Sequence, residues 1–326
     1  MMSSIANALT IDVEDYFQVH AFSSVINPPD WDNYESRVEG NTYRILEMLS
    51  NPCGAVIPAH HSSLITHHSI KATFFILGWI AEKYPKLIRE IAGQGHEIAS
   101  HGYRHELVTN QCPDEFRADV AKTKKILEDI TGEEVVGYRA STYSITRKTL
   151  WALKILAEEG YKYDSSIFPV HHDVYGFPDA PRFPFKVCLN GNVQTVQSFA
   201  VKNSFKRAND SNISNAIWEF PISTIRLLRQ NIPIAGGGYF RLFPYWLVKR
   251  LLGHINRTEQ RSFIFYLHPW EFDPGQPKID NAPLKSRVRH YLNLDKVEGR
   301  FKTLLSDFNF VPIRGLMDKK PFASLR

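Results

Sequence analysis

Lys71-Ala72-Thr73-Phe74-Phe75-Ile76-Leu77 is an apolar, aromatic-rich run of strand length, and a helical pattern from Trp79 to Ala92 with a Gly93/Gly95 stop follows it directly. The run predicts a buried strand, and the same alternation extends to both sides. Upstream, Ala8-Leu9-Thr10-Ile11-Asp12 is a second short apolar run, followed by a helical stripe over 37–49. Downstream, the strand Glu97-Ile98-Ala99 leads to a helix opened by Pro113-Asp114, running to Ile130 and stopped by Gly132. Val135 to Arg139, a helix from Thr146 to Glu159 and Tyr161-Lys162-Tyr163-Asp164 continue the series. Four strand–helix units in succession predict an α/β fold with a parallel sheet and right-handed crossovers. In such sheets and barrels the functional groups stand beyond the carboxyl ends of the strands. Asp12, His101, Arg139 and Asp164 all fall at or just after strand ends, so they can share one rim.

The chain of 326 residues is 43% hydrophobic, enough to bury a full core as one large α/β domain or two smaller ones. Lys and Arg total 39 against 34 Asp and Glu, a formal +5 spread along the chain. That is not the basic stripe of a nucleic-acid binder, although it is compatible with peripheral association with an anionic surface. Three widely spaced cysteines, Cys53, Cys112 and Cys188, form neither a disulfide framework nor a metal pattern. No apolar run approaches the ~20 residues that span a bilayer, and the amino terminus shows no secretory signal pattern, so a cytoplasmic location is expected. Nothing in the pattern sets the oligomeric state.

Two stretches break the alternation. Residues 53–69 carry His60-His61 and His67-His68 in a polar insertion, read as a solvated loop. Residues 165–215 are irregular and rich in Pro, Gly, Asn and aromatics, which suits a functional loop. Strands follow at Ile217 to Phe220 and Ser262 to His268, with a helix over Tyr245 to Ile255 between them. The run Gly236-Gly237-Gly238-Tyr239-Phe240-Arg241 lacks the Lys-Ser/Thr of a phosphate loop and reads as a tight turn with close backbone approach. Two helical segments and a strand, Phe308 to Pro312, close the chain without a linker or internal repeat.

The chemistry is carried by His101 and His105, four residues apart, in the company of Asp12, Glu14 and Asp15. A hydrolytic metal site needs three protein ligands and an open position. His101, His105 and one carboxylate of the Asp12 cluster meet that count. A second carboxylate can act as general base, and His268 as general acid to the leaving group. Arg139 can hold the base ionised and oriented, and Asp164 can do the same for the imidazolium of His268.

Five motifs in order between residues 8 and 270 resemble the polysaccharide deacetylase family, the NodB-homology domains of carbohydrate esterase family 4. They are Thr10-Ile11-Asp12-Val13-Glu14-Asp15, His101-Gly102-Tyr103-Arg104-His105, Tyr138-Arg139-Ala140-Ser141-Thr142, Asp164-Ser165-Ser166 and Leu267-His268. Asp12 to Phe17, Asp164 to Pro169 and the glycine run further resemble the bacterial subgroup found with exosortase-linked exopolysaccharide loci. The resemblance implies a distorted (β/α) barrel and metal-dependent removal of an N-acetyl group from an acetylated amino sugar of a polysaccharide or its precursor. The implied cation is Zn2+, with Co2+ or Ni2+ as alternatives. It implies one catalytic domain over 1–326, with residues 271–326 packed on it as an extension. Carried over by position, Asp12 is the base, His101 and His105 are ligands, Arg139 orients Asp12, His268 is the acid and Asp164 tunes it. The backbone N–H of Thr142 falls at the oxyanion position.

Two departures stand out. The family has adjacent aspartates where this chain reads Asp12-Val13-Glu14-Asp15, so the third ligand is Glu14, by strand alternation, or Asp15, by residue type; the sequence leaves both. Ser141 also stands where the arginine motif carries proline. His172, Tyr175 and Arg182 are candidate sugar contacts on the irregular loop, and Leu267 joins them through the closing motif. The competing readings are an amidohydrolase of the same fold acting on a small ureide or amide, and a catalytically inactive glycan-binding module.

Overall fold

Side chains alternate between two apolar layers along the central strands of the sheet, and this alternation places the site. On β1 (Ala6–Val13), Leu9, Ile11 and Val13 join the larger cluster under the helices, whereas Ala8 joins an inner cluster with Phe75, Ala99, Tyr163 and Tyr266. The computed structural model describes residues 5–52, 69–172, 175–189 and 216–317. The histidine pairs at 60–61 and 67–68 lie outside those residues.

The other strands are β2 (Thr73–Ile76), β3 (Glu97–Ser100), β4 (Gly137–Tyr138), β5 (Tyr163–Asp164), β6 (Phe185–Cys188), β7 (Ala216–Glu219), β8 (Thr224–Leu227), β9 (Gln230–Pro233), β10 (Ile264–Leu267) and β11 (Asn309–Val311). The main sheet runs β10-β1-β2-β3-β4-β5-β7-β6, with β11 also on β1; all its pairings are parallel except β6 with β7. This is the expected α/β architecture. The distortion is visible in the pairing: among the described residues no ladder joins β6 or β7 back to β10, so the sheet curves without closing. β6, within the expected irregular segment, and the β8–β9 hairpin beyond it depart from the sequence expectation, because runs of four residues are too short to stand out from loop in sequence.

The helices are α1 (Val38–Ser50), α2 (Gly78–Lys83), α3 (Pro85–Gly93), α4 (Pro113–Thr131), α5 (Trp151–Glu158), α6 (Gly237–Leu242), α7 (Tyr245–Arg257), α8 (Leu284–Tyr291), α9 (Val297–Asp307) and α10 (Ile313–Met317). The single helix expected over Trp79 to Ala92 is divided, since Pro85 disfavours helical backbone at Tyr84, which adopts φ −127° and ψ 56°. None of the helices among the described residues is long and apolar enough to cross a membrane.

The carboxyl-terminal segment belongs to the sheet. β11 pairs with Ala6 to Ala8, below the part of β1 that pairs with β2. Ile313 is buried in the inner cluster, its N–H donates to Thr73 Oγ1 (2.8 Å), and the Arg314 N–H donates to Glu97 Oε2 (3.0 Å). The amino-terminal end of the strands is thereby plugged, leaving the carboxyl ends as the open rim.

Candidate active site

β1 delivers its carboxylates by alternation. Thr10, Asp12 and Glu14 point to the inner side, and each is buried. Arg139, also fully buried, follows β4 and reaches across: its Nη1 donates to Asp12 Oδ1 (2.6 Å) and Thr10 Oγ1 (2.8 Å), while Nε donates to the Ser165 carbonyl (3.1 Å). Its guanidinium lies 4.1 Å over the Phe75 ring. One oxygen of Asp12 is thus fixed, and the other, Oδ2, lies 3.9 Å from His268 Nε2.

His101 and His105 leave β3 on a turn that ends with His105 at φ +54°. His101 Nδ1 is 2.8 Å from the Arg139 carbonyl, which assigns the proton to Nδ1 and leaves Nε2 as a lone-pair donor. Burial pushes this imidazole down to about 4, so it stays neutral, the form a metal ligand requires. Glu14, His101 and His105 each offer a ligand atom, all within 4.8 Å of one another. Glu14 Oε2 is buried, lies 2.9 Å from His105 Nε2 and makes no hydrogen bond, whereas Oε1 accepts from Trp270 Nε1 (3.1 Å). Burial opposes ionisation of Glu14, but His105, His268 and His101 together hold it well below the carboxylate range. An orphaned carboxylate oxygen facing two imidazoles fits a divalent cation.

Asp15 stands apart from this cluster. Its Oδ2 accepts from Ser36 Oγ (2.8 Å) and from the N–H groups of Arg37 (2.7 Å) and Val38 (3.0 Å), capping α1, and Oδ1 accepts from the Tyr16 N–H (2.9 Å). β1 stays extended through Val13, so alternation carries Glu14 inward and turns Asp15 away.

His268 lies just past β10, flanked by the rings of Tyr266 and Trp270. The expectation that Asp164 tunes it is corrected by phase. Asp164 follows the inward Tyr163 and pairs in register with Tyr138 of the outer layer, so its carboxylate faces Ser166 (Oγ donor, 2.5 Å) and Glu219. Burial, then the adjacent Asp164, raises the Glu219 carboxyl well above its usual range. The carboxylate beside His268 is Glu271, 2.7 Å from Nδ1 and unremarked in the sequence. Burial alone would lower His268, but Glu14, Glu271 and Asp12 raise it to about 9.

Thr142 and Tyr143 take φ +54° and +55° in succession, an uncommon conformation for residues with a Cβ. The neighbouring N–H groups of Tyr143 and Ser144 are used within the turn (to Ala140 and Ser141 carbonyls), while that of Thr142 has no partner among the described residues. His172 and Tyr175 stack with ring centroids 3.8 Å apart, and Tyr175 continues through Tyr143 and Tyr266 to His268. Two expected substrate contacts are elsewhere. Arg182 is held by Glu259 (Nη1 to Oε1, 2.7 Å) and Thr224, and Leu267 is fully buried in the outer core, one residue out of phase with His268.

Residues 59–163 match the polysaccharide deacetylase family model, and residues 165–318 match that of a domain of unknown function (DUF3473). The match to the polysaccharide deacetylase family is thus to a domain within residues 59–163 of the chain. The chain is similar to the peptidoglycan-N-acetylglucosamine deacetylase of Bacillus cereus, 41% identical over 68 residues, which are 21% of this chain and 25% of that protein. It is also similar to the chitooligosaccharide deacetylase of Azorhizobium caulinodans, 30% identical over 105 residues, 32% of this chain and 47% of that one. The chain thus spans less than half the length of either relative. The solved structure of a Mycobacterium smegmatis protein described as a polysaccharide deacetylase covers 100% of this chain and 99% of its own at TM-score 0.55 and 17% identity. An allantoinase covers 98% and 92% at TM-score 0.52 and 13% identity, so the likeness to both extends to the fold.

Proposed function

We propose that this chain is a metal-dependent hydrolase that removes N-acetyl groups from an amino sugar of a polysaccharide or its precursor, releasing acetate. The observation that carries the reading is the meeting of two sets at one mouth: the Glu14–His101–His105 cluster, and Asp12 with His268 across from it. Relatives named as deacetylases of peptidoglycan N-acetylglucosamine and of chitooligosaccharides support the substrate class.

Glu14, His101 and His105 would hold a divalent cation, Zn2+ by donor type, which supplies Lewis-acid polarisation of the acetyl carbonyl and of the attacking water. Asp12, with Oδ1 fixed by Arg139, takes the proton of that water on Oδ2. As the water oxygen bonds the carbonyl carbon, the unpartnered N–H of Thr142 donates to the developing oxyanion. The C–N bond then breaks, His268 Nε2 gives its proton to the amine, and acetate leaves. The His172–Tyr175 stack, at the end of the aromatic row from His268, offers a platform for a sugar ring. Asp164, with Ser166 and Glu219, braces the segment whose Ser165 receives Arg139. Residues 1–326 act as one catalytic domain, and the exposed free thiols of Cys112 and Cys188 suit a cytoplasmic, reducing location. The reading is tested by acetate release from N-acetylated oligosaccharides, with Asp12→Asn as control; release that persists unchanged in the variant overturns it.

A further inference from the structure

Glu271 is fully buried in the turn after β10, and each of its oxygens has its own task. Oε1 accepts from the His268 N–H (3.1 Å) and faces His268 Nδ1 (2.7 Å). Oε2 accepts from Arg241 Nε (2.7 Å). Arg241 is itself buried, and its Nη1 donates to the carbonyls of Arg289 (3.1 Å), His290 (2.5 Å) and Leu292 (3.2 Å). A buried ion pair is costly unless its remaining donors and acceptors are satisfied, and here they largely are. Arg241 Cζ also lies 5.0 Å from the Trp270 ring centroid.

The glycine run explains how Arg241 gets there. Gly236 takes φ +123°, and a Cβ on it would fall 1.9 Å from the Tyr266 carbonyl oxygen, two residues before His268. Only glycine lets α6 start against β10, which brings Arg241, five residues on, to Glu271.

We propose that Glu271, anchored by Arg241, is the positioning residue for the general acid: it holds His268 with Nδ1 turned into the protein and Nε2 aimed at the leaving amine. The inference rests on the deacetylase reading for the identity of the leaving group. It rests on this geometry alone for the orientation of the ring. In the step concerned, the Nε2 proton passes to the nitrogen as the C–N bond breaks, and His268 is left neutral with Nδ1–H still bound to Glu271.

The test is Glu271→Gln, which keeps the volume but presents an amide N–H to either Arg241 or His268, so both bonds cannot persist. On an N-acetylated oligosaccharide, kcat is expected to fall on the order of 100-fold while KM stays within about threefold. On 4-nitrophenyl acetate, whose leaving group departs without a proton, the loss stays within about threefold. Zinc content and circular dichroism of the variant should match the wild type. In parallel, proton–nitrogen NMR of the metal-free protein, with the signal assigned by its absence in His268→Gln, should show an Nδ1–H resonance that Glu271→Gln shifts or abolishes. Equal losses on both substrates, or an Nδ1–H resonance indifferent to the variant, would overturn the proposal. If the wild type releases no acetate from any acetylated sugar, the substrate reading fails on its own and the resonance still decides the role of Glu271.

Discussion

Glu14 Oε2 lies 2.9 Å from His105 Nε2, while the carboxylate of Asp15, one residue on, is taken up by Ser36 and the start of α1. The two substitutions should therefore separate. Glu14→Gln is expected to lose stoichiometric zinc, measured by equilibrium dialysis and metal analysis, and to keep its fold. Asp15→Asn is expected to keep zinc and lose stability by about 1–3 kcal/mol in urea unfolding, because a buried cap loses its charge. Zinc loss in Asp15→Asn with retention in Glu14→Gln would exchange their roles.

Arg139 and Asp12 form a buried pair, and breaking it from either side has different effects. Arg139→Met strands a buried carboxylate and is expected to cost roughly 3–5 kcal/mol in denaturant unfolding. Asp12→Asn retains an acceptor for Arg139 and should lose far less stability, yet cut kcat on the order of 100-fold or more with zinc still bound. Wild-type turnover in Asp12→Asn would remove it as the base.

Arg182 is a structural anchor here, bound to Glu259 and Thr224. Arg182→Ala should lower stability by about 1–3 kcal/mol and leave KM for an acetylated oligosaccharide unchanged. A several-fold rise in KM with no stability change would return it to the substrate site.

His96 gives the stability a pH dependence away from the metal cluster. Burial lowers it to about 4 from the ordinary 6.5, and its Nδ1 accepts the Ala72 N–H (3.2 Å). Between those values the unfolded chain binds the proton and the folded chain does not. The contribution is complete above pH 6.5 and is lost as pH falls towards 4, by roughly 3 kcal/mol in all. Urea unfolding at pH 4.5 and 7 should show a smaller difference in His96→Gln than in wild type; an equal difference would exclude His96 as the source.

The parts of the site that were legible in sequence are those fixed by strand phase and strand ends. Asp12, His101, Arg139 and His268 each end or just follow a strand, whereas the third ligand stayed open, because alternation pointed to Glu14 and residue type to Asp15. The same alternation, applied to Tyr163 and Leu267, would have placed Asp164 and Leu267 outward. Glu271 and Arg241 were hidden for another reason: one sits in a turn, the other on a short helix thirty residues earlier, and they meet through tertiary contacts such as that of Gly236 with Tyr266. Arg182 looked available because its partner Glu259 is remote in sequence. At Pro85, a local backbone rule outweighed a continuous apolar stripe.

Acetate release from N-acetylhexosamine oligomers by the purified protein, before and after chelation and zinc add-back and with His101→Ala alongside, decides whether the Glu14–His101–His105 cluster is a catalytic metal centre. Chelation is expected to stop release, zinc to restore it and His101→Ala to lack it. Release indifferent to chelation and to His101→Ala would rule that centre out.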